Sequence, residues 1–177
     1  MPIWKPKHAA SAICLVEFLL QGGFLSGAGL RLPAAHGRAG ISAHKHEGDG
    51  ATPTGLLGLV RVLYRADRLK PPACSVPIEP ISPQDGWCDD PANPAYNKQI
   101  RLPFAASHEA LWRDDNLYDI IGILDWNFAP ITRHRGSAIF LHVATPDYAP
   151  TAGCVALALS DVLTALRAGL SEILVRG

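Results

Sequence analysis

Two side chains of this 177-residue chain have the types needed to make a nucleophile together. His142 ends the run GSAIFLH that begins at Gly136, and Cys154 sits in the run TAGCVAL from Thr151 to Leu157. A free thiol is largely protonated at neutral pH, and the thiolate is the attacking species, so an imidazole within reach that takes the proton turns an inert cysteine into a nucleophile. Gly153, with the small Ala152 and Ala156, would let a substrate carbonyl approach the backbone, where N–H groups near Gly153 and Cys154 can hold an oxyanion. On spacing alone, the same two residues also suit a buried cysteine and a satisfied core histidine.

The pair must be positioned by the elements that carry it. Ser137 to Val143 is a short apolar run with β-branched and aromatic members, Ala152 to Leu157 is another, and Pro146, Asp147 and Pro150 mark a loop between them. Strand, loop, strand closes most simply as a hairpin, which would place His142 opposite Gly153 or, one residue shifted, opposite Cys154. Directly opposed Cβ atoms lie roughly 5 Å apart, so either register predicts that the two side chains meet.

A second block lies upstream: KHEGDGATPTG, from Lys45 to Gly55. Together the two blocks resemble the L,D-transpeptidase (YkuD-like) catalytic domain, whose pattern is a histidine at a strand end, a loop, and then Ser/Thr-His-Gly-Cys, with a Thr-Pro-x-Gly segment leading into a core strand. His142, Thr151, Gly153 and Cys154 match the first part, and Thr52 to Gly55 the second. The resemblance covers roughly residues 30–175. It implies a mainly β fold, a sandwich of mixed sheets with one or two short packed helices. It also implies acyl transfer on peptidoglycan stem peptides through a thioester on Cys154, with His142 as base, no cofactor, and no metal. Thr151, Gly153, Gly136 and Ser137 are then the oxyanion and substrate-binding candidates. The chain departs from the pattern at Ala152, where histidine is common, and at Ala156, two residues past the cysteine, where arginine is often found. It looks like a branch of the family in which the outcome can differ. A hydrolase acting on peptidoglycan peptides through the same Cys154 is the alternative, and a non-catalytic wall-binding domain a further one.

The rest of the chain reads as a turn-rich β protein, with 15 Pro and 16 Gly. At this length the expectation is one domain over residues 1–177. Met1 to Val16 has the basic start and apolar run of a secretory leader, but Glu17 interrupts it and no cleavage site is evident; Ile13 to Leu20 reads better as a first strand turning at Gln21, Gly22 and Gly23. A periplasmic or cell-envelope location is therefore expected from the resemblance alone. Leu56 to Tyr64 alternates as a strand. Residues 70–103 carry eight prolines and predict a long ordered loop without regular structure, in which Trp87 and Tyr96 anchor to the core and Asp85, Asp89 and Asp90 are candidates for a cleft wall. Ser107 to Asn116 is predicted helical, with His108, Glu109, Arg113 and Asp114 on a solvated face and His108 or Arg113 as lesser candidates for substrate contact. Leu117 to Asn127 reads as a strand. Ser160 and Asp161 predict the cap of a helix bearing Val162, Leu163, Leu166 and Leu170 on one face, and Ile173 to Val175 a closing strand.

Sixteen basic and sixteen acidic residues cancel, which leaves no electrostatic footprint for nucleic acid. No stretch reaches the roughly 18 apolar residues of a membrane span. Peptidoglycan stem peptides are the expected partner. His44 and His46, beside Glu47 and Asp49, suggest a metal-dependent hydrolase as a lesser alternative, although an H-x-H pair lacks third and fourth ligands at a diagnostic spacing. Cys74 and Cys88 could be bridged in an exported protein, with Cys14 left unpaired.

Overall fold

A computed structural model describes residues 15–177. The start of the expected first strand, the leader-like segment up to residue 14, and Cys14 lie outside the described residues.

The fold is mainly β. In chain order the strands are β1 (Val16–Gln21), β2 (Phe24–Gly27), β3 (Leu30–Pro33), β4 (Ile41–Ser42), β5 (Thr52–Pro53), β6 (Gly55–Tyr64) and β7 (Ile78–Pro80). They continue with β8 (Asp85–Cys88), β9 (Gln99–Arg101), β10 (His108–Ala110), β11 (Ile120–Leu124), β12 (Phe140–Val143) and β13 (Val155–Leu157), followed by helix α1 (Leu159–Arg167) and strand β14 (Leu170–Val175). The large sheet is mixed and runs β13-β12-β11-β6-β14-β1-β2-β3, with β7 added beside β6. A small antiparallel sheet, β10-β8-β9, lies apart from it, and β4 pairs with β5.

β6 is the hinge of this arrangement. Its first half pairs with β14 and its second half with β11, so one ten-residue strand joins the part of the sheet that carries β14 and β1 to the part that carries His142. Two buried clusters cover the two faces. The larger contains Phe18, Leu57, Leu59, Val62, Leu141, Val155 and Leu157 with Val162, Ala165 and Leu166 of α1. The other packs Leu63, Ile121, Ile123 and Phe140 against Trp87 and Leu111 beside the small sheet, and Cys154 belongs to it. The nucleophile candidate thus emerges from the core face that the small sheet covers.

Several elements differ from expectation. β12 and β13 are parallel, not a hairpin: Leu141 faces Val155, His142 faces Ala156 and Val143 faces Leu157. Residues 144–154 therefore cross back to the start of β12. Thr151 N–H donates to His36 O and Arg38 N–H to Thr151 O, which clamps the crossing to the 35–38 segment. The expected helix at Ser107 to Asn116 is absent; His108 to Ala110 is an edge strand paired with β8, because the small sheet offers hydrogen-bond partners that outweigh helix propensity. Within the proline-rich 70–103 stretch, β7, β8 and β9 interrupt the loop. There, Trp87 and Tyr96 are buried as anchors.

α1 begins at Leu159 after Ala158, with no side-chain cap and with Asp161 inside its first turn, so Ser160 is a helical residue and not its cap. Leu170 belongs to β14 rather than to the helical stripe. Cys74 and Cys88 are free thiols. Among the described residues no helix is long and apolar enough to cross a membrane.

Candidate active site

In parallel register, residue 140 stands beside residue 154, and the geometry agrees: Phe140 N–H donates to Cys154 Sγ at 3.4 Å. His142 is two residues further along β12, on the same face, a step of about 6.6 Å along the strand. The pair is therefore diagonal, not opposed as a hairpin would have it. Both side chains are nevertheless buried, with 8% of Cys154 and 7% of His142 exposed, and both line one cavity of about 190 Å3. Tyr118, Arg113, Glu109, Thr151, Ala152 and Ala156 contribute to its wall.

The ring of His142 is fixed on two sides. Nδ1 lies 2.8 Å from Val143 O, which places the proton on Nδ1 and leaves Nε2 as the acceptor. Tyr118 packs edge-on against the ring with centroids 5.4 Å apart. Burial lowers the imidazole's proton affinity, so the ring is neutral near pH 7. Burial also pushes the Cys154 thiol up to about 12, and the nearby Glu109 carboxylate adds to this against the opposing Phe140 N–H and Lys45. The resting pair is thus a neutral thiol and a neutral imidazole. The thiol points at Ala138 O, 3.2 Å away.

Ala138 is itself held in a positive-φ conformation (φ 52°), which L residues rarely adopt. The buried Asn97 supports it: Asn97 Oδ1 accepts from Ala138 N–H at 3.1 Å and from Trp87 Nε1–H at 3.0 Å, while Nδ2 donates to the carbonyls of Trp126 and Asn127. A single side-chain amide thus ties the anchored loop to the segment just before β12, whose Ala138 carbonyl accepts the thiol's hydrogen bond. Sequence reasoning missed Asn97, whose partners are all distant in the chain.

The glycine at 153 is required by geometry. Its φ of +144° is one that side chains avoid, and a Cβ there would sit 2.9 Å from Ala51 O. Thr52 locks this loop to the upstream block. Fully buried, it accepts from Gly37 N–H and donates to Gly153 O, both at 2.8 Å. The segment from Lys45 to Gly55 therefore supports the cysteine loop. Its Gly48 and Gly50 have φ of 73° and 70°. Lys45 is buried and paired with Asp49 at 2.5 Å. Burial raises the Asp49 carboxyl, but the hydrogen bonds from Lys45, His46 N–H and Ala51 N–H outweigh this and hold it below the usual range.

The remaining candidates are distributed unevenly. Thr151 Oγ1 accepts from Gly153 N–H at 3.1 Å and donates to Cys154 O at 2.7 Å. That occupies the Gly153 N–H expected at an oxyanion, whereas no hydrogen bond among the described residues engages the Cys154 N–H. Gly136 N–H donates to Tyr96 Oη, and Ser137 Oγ–H to Glu47 Oε2 at 2.8 Å. Both are thereby held in structural roles; Ser137 lines a second, more polar cavity that Cys154 also borders, and Gly136 does not. Asp89 lines that cavity, while Asp85 is buried against Arg101. Arg113 and Glu109 line the His142 cavity, but His108 turns away to Ala106 O. His44 and His46 are exposed, and among the described residues no three His, Cys, Asp or Glu side chains gather as a metal site.

Compared with known proteins, residues 25–167 match the family profile described as the L,D-transpeptidase catalytic domain, YkuD. No curated protein matches the chain.

Proposed function

The chain belongs to the L,D-transpeptidase (YkuD) catalytic-domain family, and from that premise we propose that it transfers acyl groups of peptidoglycan stem peptides through a thioester on Cys154. The observation that carries this reading is the shared cavity: in a chain of this family, the one thiol among the described residues that opens into it faces the same space as an imidazole whose free nitrogen is an acceptor.

The chemistry starts from the neutral pair. As Cys154 Sγ attacks an amide carbonyl next to a diaminopimelate-like residue, the thiol proton passes to His142 Nε2. The unengaged Cys154 N–H is the backbone donor available to the developing oxyanion. The imidazolium protonates the leaving amine, the C–N bond breaks, and a thioester remains. An incoming amine or water then gives a proton to His142, attacks the thioester carbon, and releases sulfur, which takes the proton back. Transfer to an amine makes a cross-link, and transfer to water makes a hydrolase. Ala152 and Ala156 on the cavity wall remove two places from which side chains orient an acceptor, which favours more water capture than in members with the full pattern. The substrate places the protein's work in the cell envelope.

Intact-protein mass after exposure to purified muropeptides tests the proposal. An adduct on Cys154 with the mass of an acyl stem peptide supports it, and unmodified Cys154 under turnover conditions overturns it. The ratio of cross-linked dimer to hydrolysed product at fixed acceptor then reports the outcome.

A further inference from the structure

Cys154 lines two cavities, and the second carries more charged side chains than the first. The second, also about 190 Å3, is lined by Arg38, Lys45, Glu47, Asp89 and Glu109. Among the described residues, Glu109 is the one charged side chain that borders both. The small sheet puts it there: in the β8–β10 pairing Glu109 stands beside Trp87, and Tyr118 O–H donates to its Oε2 at 2.7 Å.

The charges around this polar cavity are incompletely matched. The Lys45 ammonium is taken up by Asp49 and His46 O, and Arg38 lies exposed at the rim. Glu47 accepts from Tyr96 and Ser137. One oxygen of Asp89 is sealed from solvent with no hydrogen-bond partner among the described residues. Glu109 receives only the Tyr118 hydrogen bond among the described residues, although a carboxylate offers about four acceptor positions. A sealed, unpaired Asp89 oxygen and a half-buried Glu109 carboxylate with acceptor positions open, both beside Cys154, suit a donor carrying positive charge.

Resting on the acyl-enzyme reading above, we infer that Glu109 is a further catalytic residue of the transfer step, receiving the ammonium group of an amine acceptor in the polar cavity and taking one proton from it. The ammonium gives a proton to the Glu109 carboxylate and becomes a free amine. Its nitrogen lone pair attacks the thioester carbon, the C–S bond breaks, the second N–H proton leaves through His142, and His142 returns it to sulfur. Ammonium, thioester and carboxylate thus become amide, thiol and carboxylic acid, with atoms and charge balanced. The cavity supplies at Glu109 a polar group of the kind that Ala152 and Ala156 do not. Burial raises the proton affinity of the Glu109 carboxyl, and the Asp89 charge adds to this against the Tyr118 hydrogen bond, in the direction a proton acceptor at this place needs.

The test compares the wild-type chain with Glu109→Gln, Asp89→Asn and Tyr118→Phe, reading Cys154 by site-resolved mass spectrometry. A trimethylammonioethyl methanethiosulfonate should modify wild-type Cys154 faster than its sulfonatoethyl counterpart. Glu109→Gln should lower that cation preference about tenfold while raising the rate with neutral iodoacetamide, because a charge opposing the thiolate is gone. With muropeptide donor and a fixed amine acceptor, the same variant should lower the ratio of amide to hydrolysed product about tenfold. Asp89→Asn should lower the cation preference less, and Tyr118→Phe, which keeps the carboxylate, should retain it. An unchanged cation preference in Glu109→Gln, or a Tyr118→Phe variant that behaves the same way as Glu109→Gln, overturns the cation site. A changed preference with an unchanged amide-to-hydrolysis ratio overturns the transfer role. If no acyl adduct forms on Cys154 at all, the acyl-transfer reading falls and takes the transfer role with it, and the reagent pair alone then decides whether the cavity receives cations.

Discussion

Replacing Thr52 by Val tests whether the upstream block holds the cysteine loop in place. The side chain is almost isosteric, but the hydroxyl is lost, and with it the acceptor for Gly37 N–H and the donor to Gly153 O. Both backbone groups would be left unpaired inside the protein. At about 1–3 kcal/mol for each buried polar group without a partner, the cost is about 2–6 kcal/mol. For a chain of this size that is a fall in melting temperature on the order of 10 °C. Thr52→Ser is the control: it keeps both hydrogen bonds and loses one methyl, about 1 kcal/mol. Urea titration of the three proteins should show the midpoint falling in the order wild type, Ser, Val, with the slope unchanged. Cys154 acylation should fall in Val more than in Ser, because Gly153 is no longer tied down. A Val variant as stable as Ser would refute the argument that these two hydrogen bonds secure the loop.

The remaining predictions address the pair and its loop. With the thiol pushed up to about 12, the rate of Cys154 alkylation by iodoacetamide should climb about tenfold per pH unit from pH 7 to about 11; a plateau beginning near pH 5 would indicate a preformed thiolate–imidazolium pair instead. His142→Gln should lower acylation by muropeptides roughly 10²–10⁴-fold near neutral pH while leaving the melting curve close to wild type. Equal acylation rates in the two proteins would remove His142 from the mechanism. Gly153→Ala, which forces a side chain into a +144° φ and against Ala51 O, should destabilise by about 1–3 kcal/mol and slow acylation, as measured by urea unfolding and adduct formation.

How far the sequence revealed this depends on how local each signal is. Alternation along Leu56 to Tyr64, the glycine turn after β1 and the apolar face of α1 are written in neighbouring residues, and they appear as β6, the β1–β2 turn and the buried Val162 and Leu166. Strand direction is not written that way. The eleven residues from 144 to 154 can either fold back as a hairpin or cross over, and the pairing of Thr151 with the 36–38 segment that decides between them involves a part of the chain over a hundred residues earlier. Ser107 to Asn116 has helix-forming residues, but β8 is a better partner than a solvated helix. The error hid Glu109, which a helical wheel sends to solvent and the edge strand turns toward Cys154. His142 and Cys154 stand out as candidates because their chemistry is unusual within apolar runs, and the two line one cavity. Asn97, Tyr118 and Asp89 are common residue types whose roles depend on contacts made across the fold.

The central claim is that Cys154 carries the acyl group. Intact-mass spectra of the wild-type chain and Cys154→Ala, both incubated with the same muropeptides and both shown to be folded, test it most directly. The account predicts an acyl adduct mapped to Cys154 in the wild type, and neither adduct nor product with Cys154→Ala. Product formed by Cys154→Ala at the wild-type rate would contradict it.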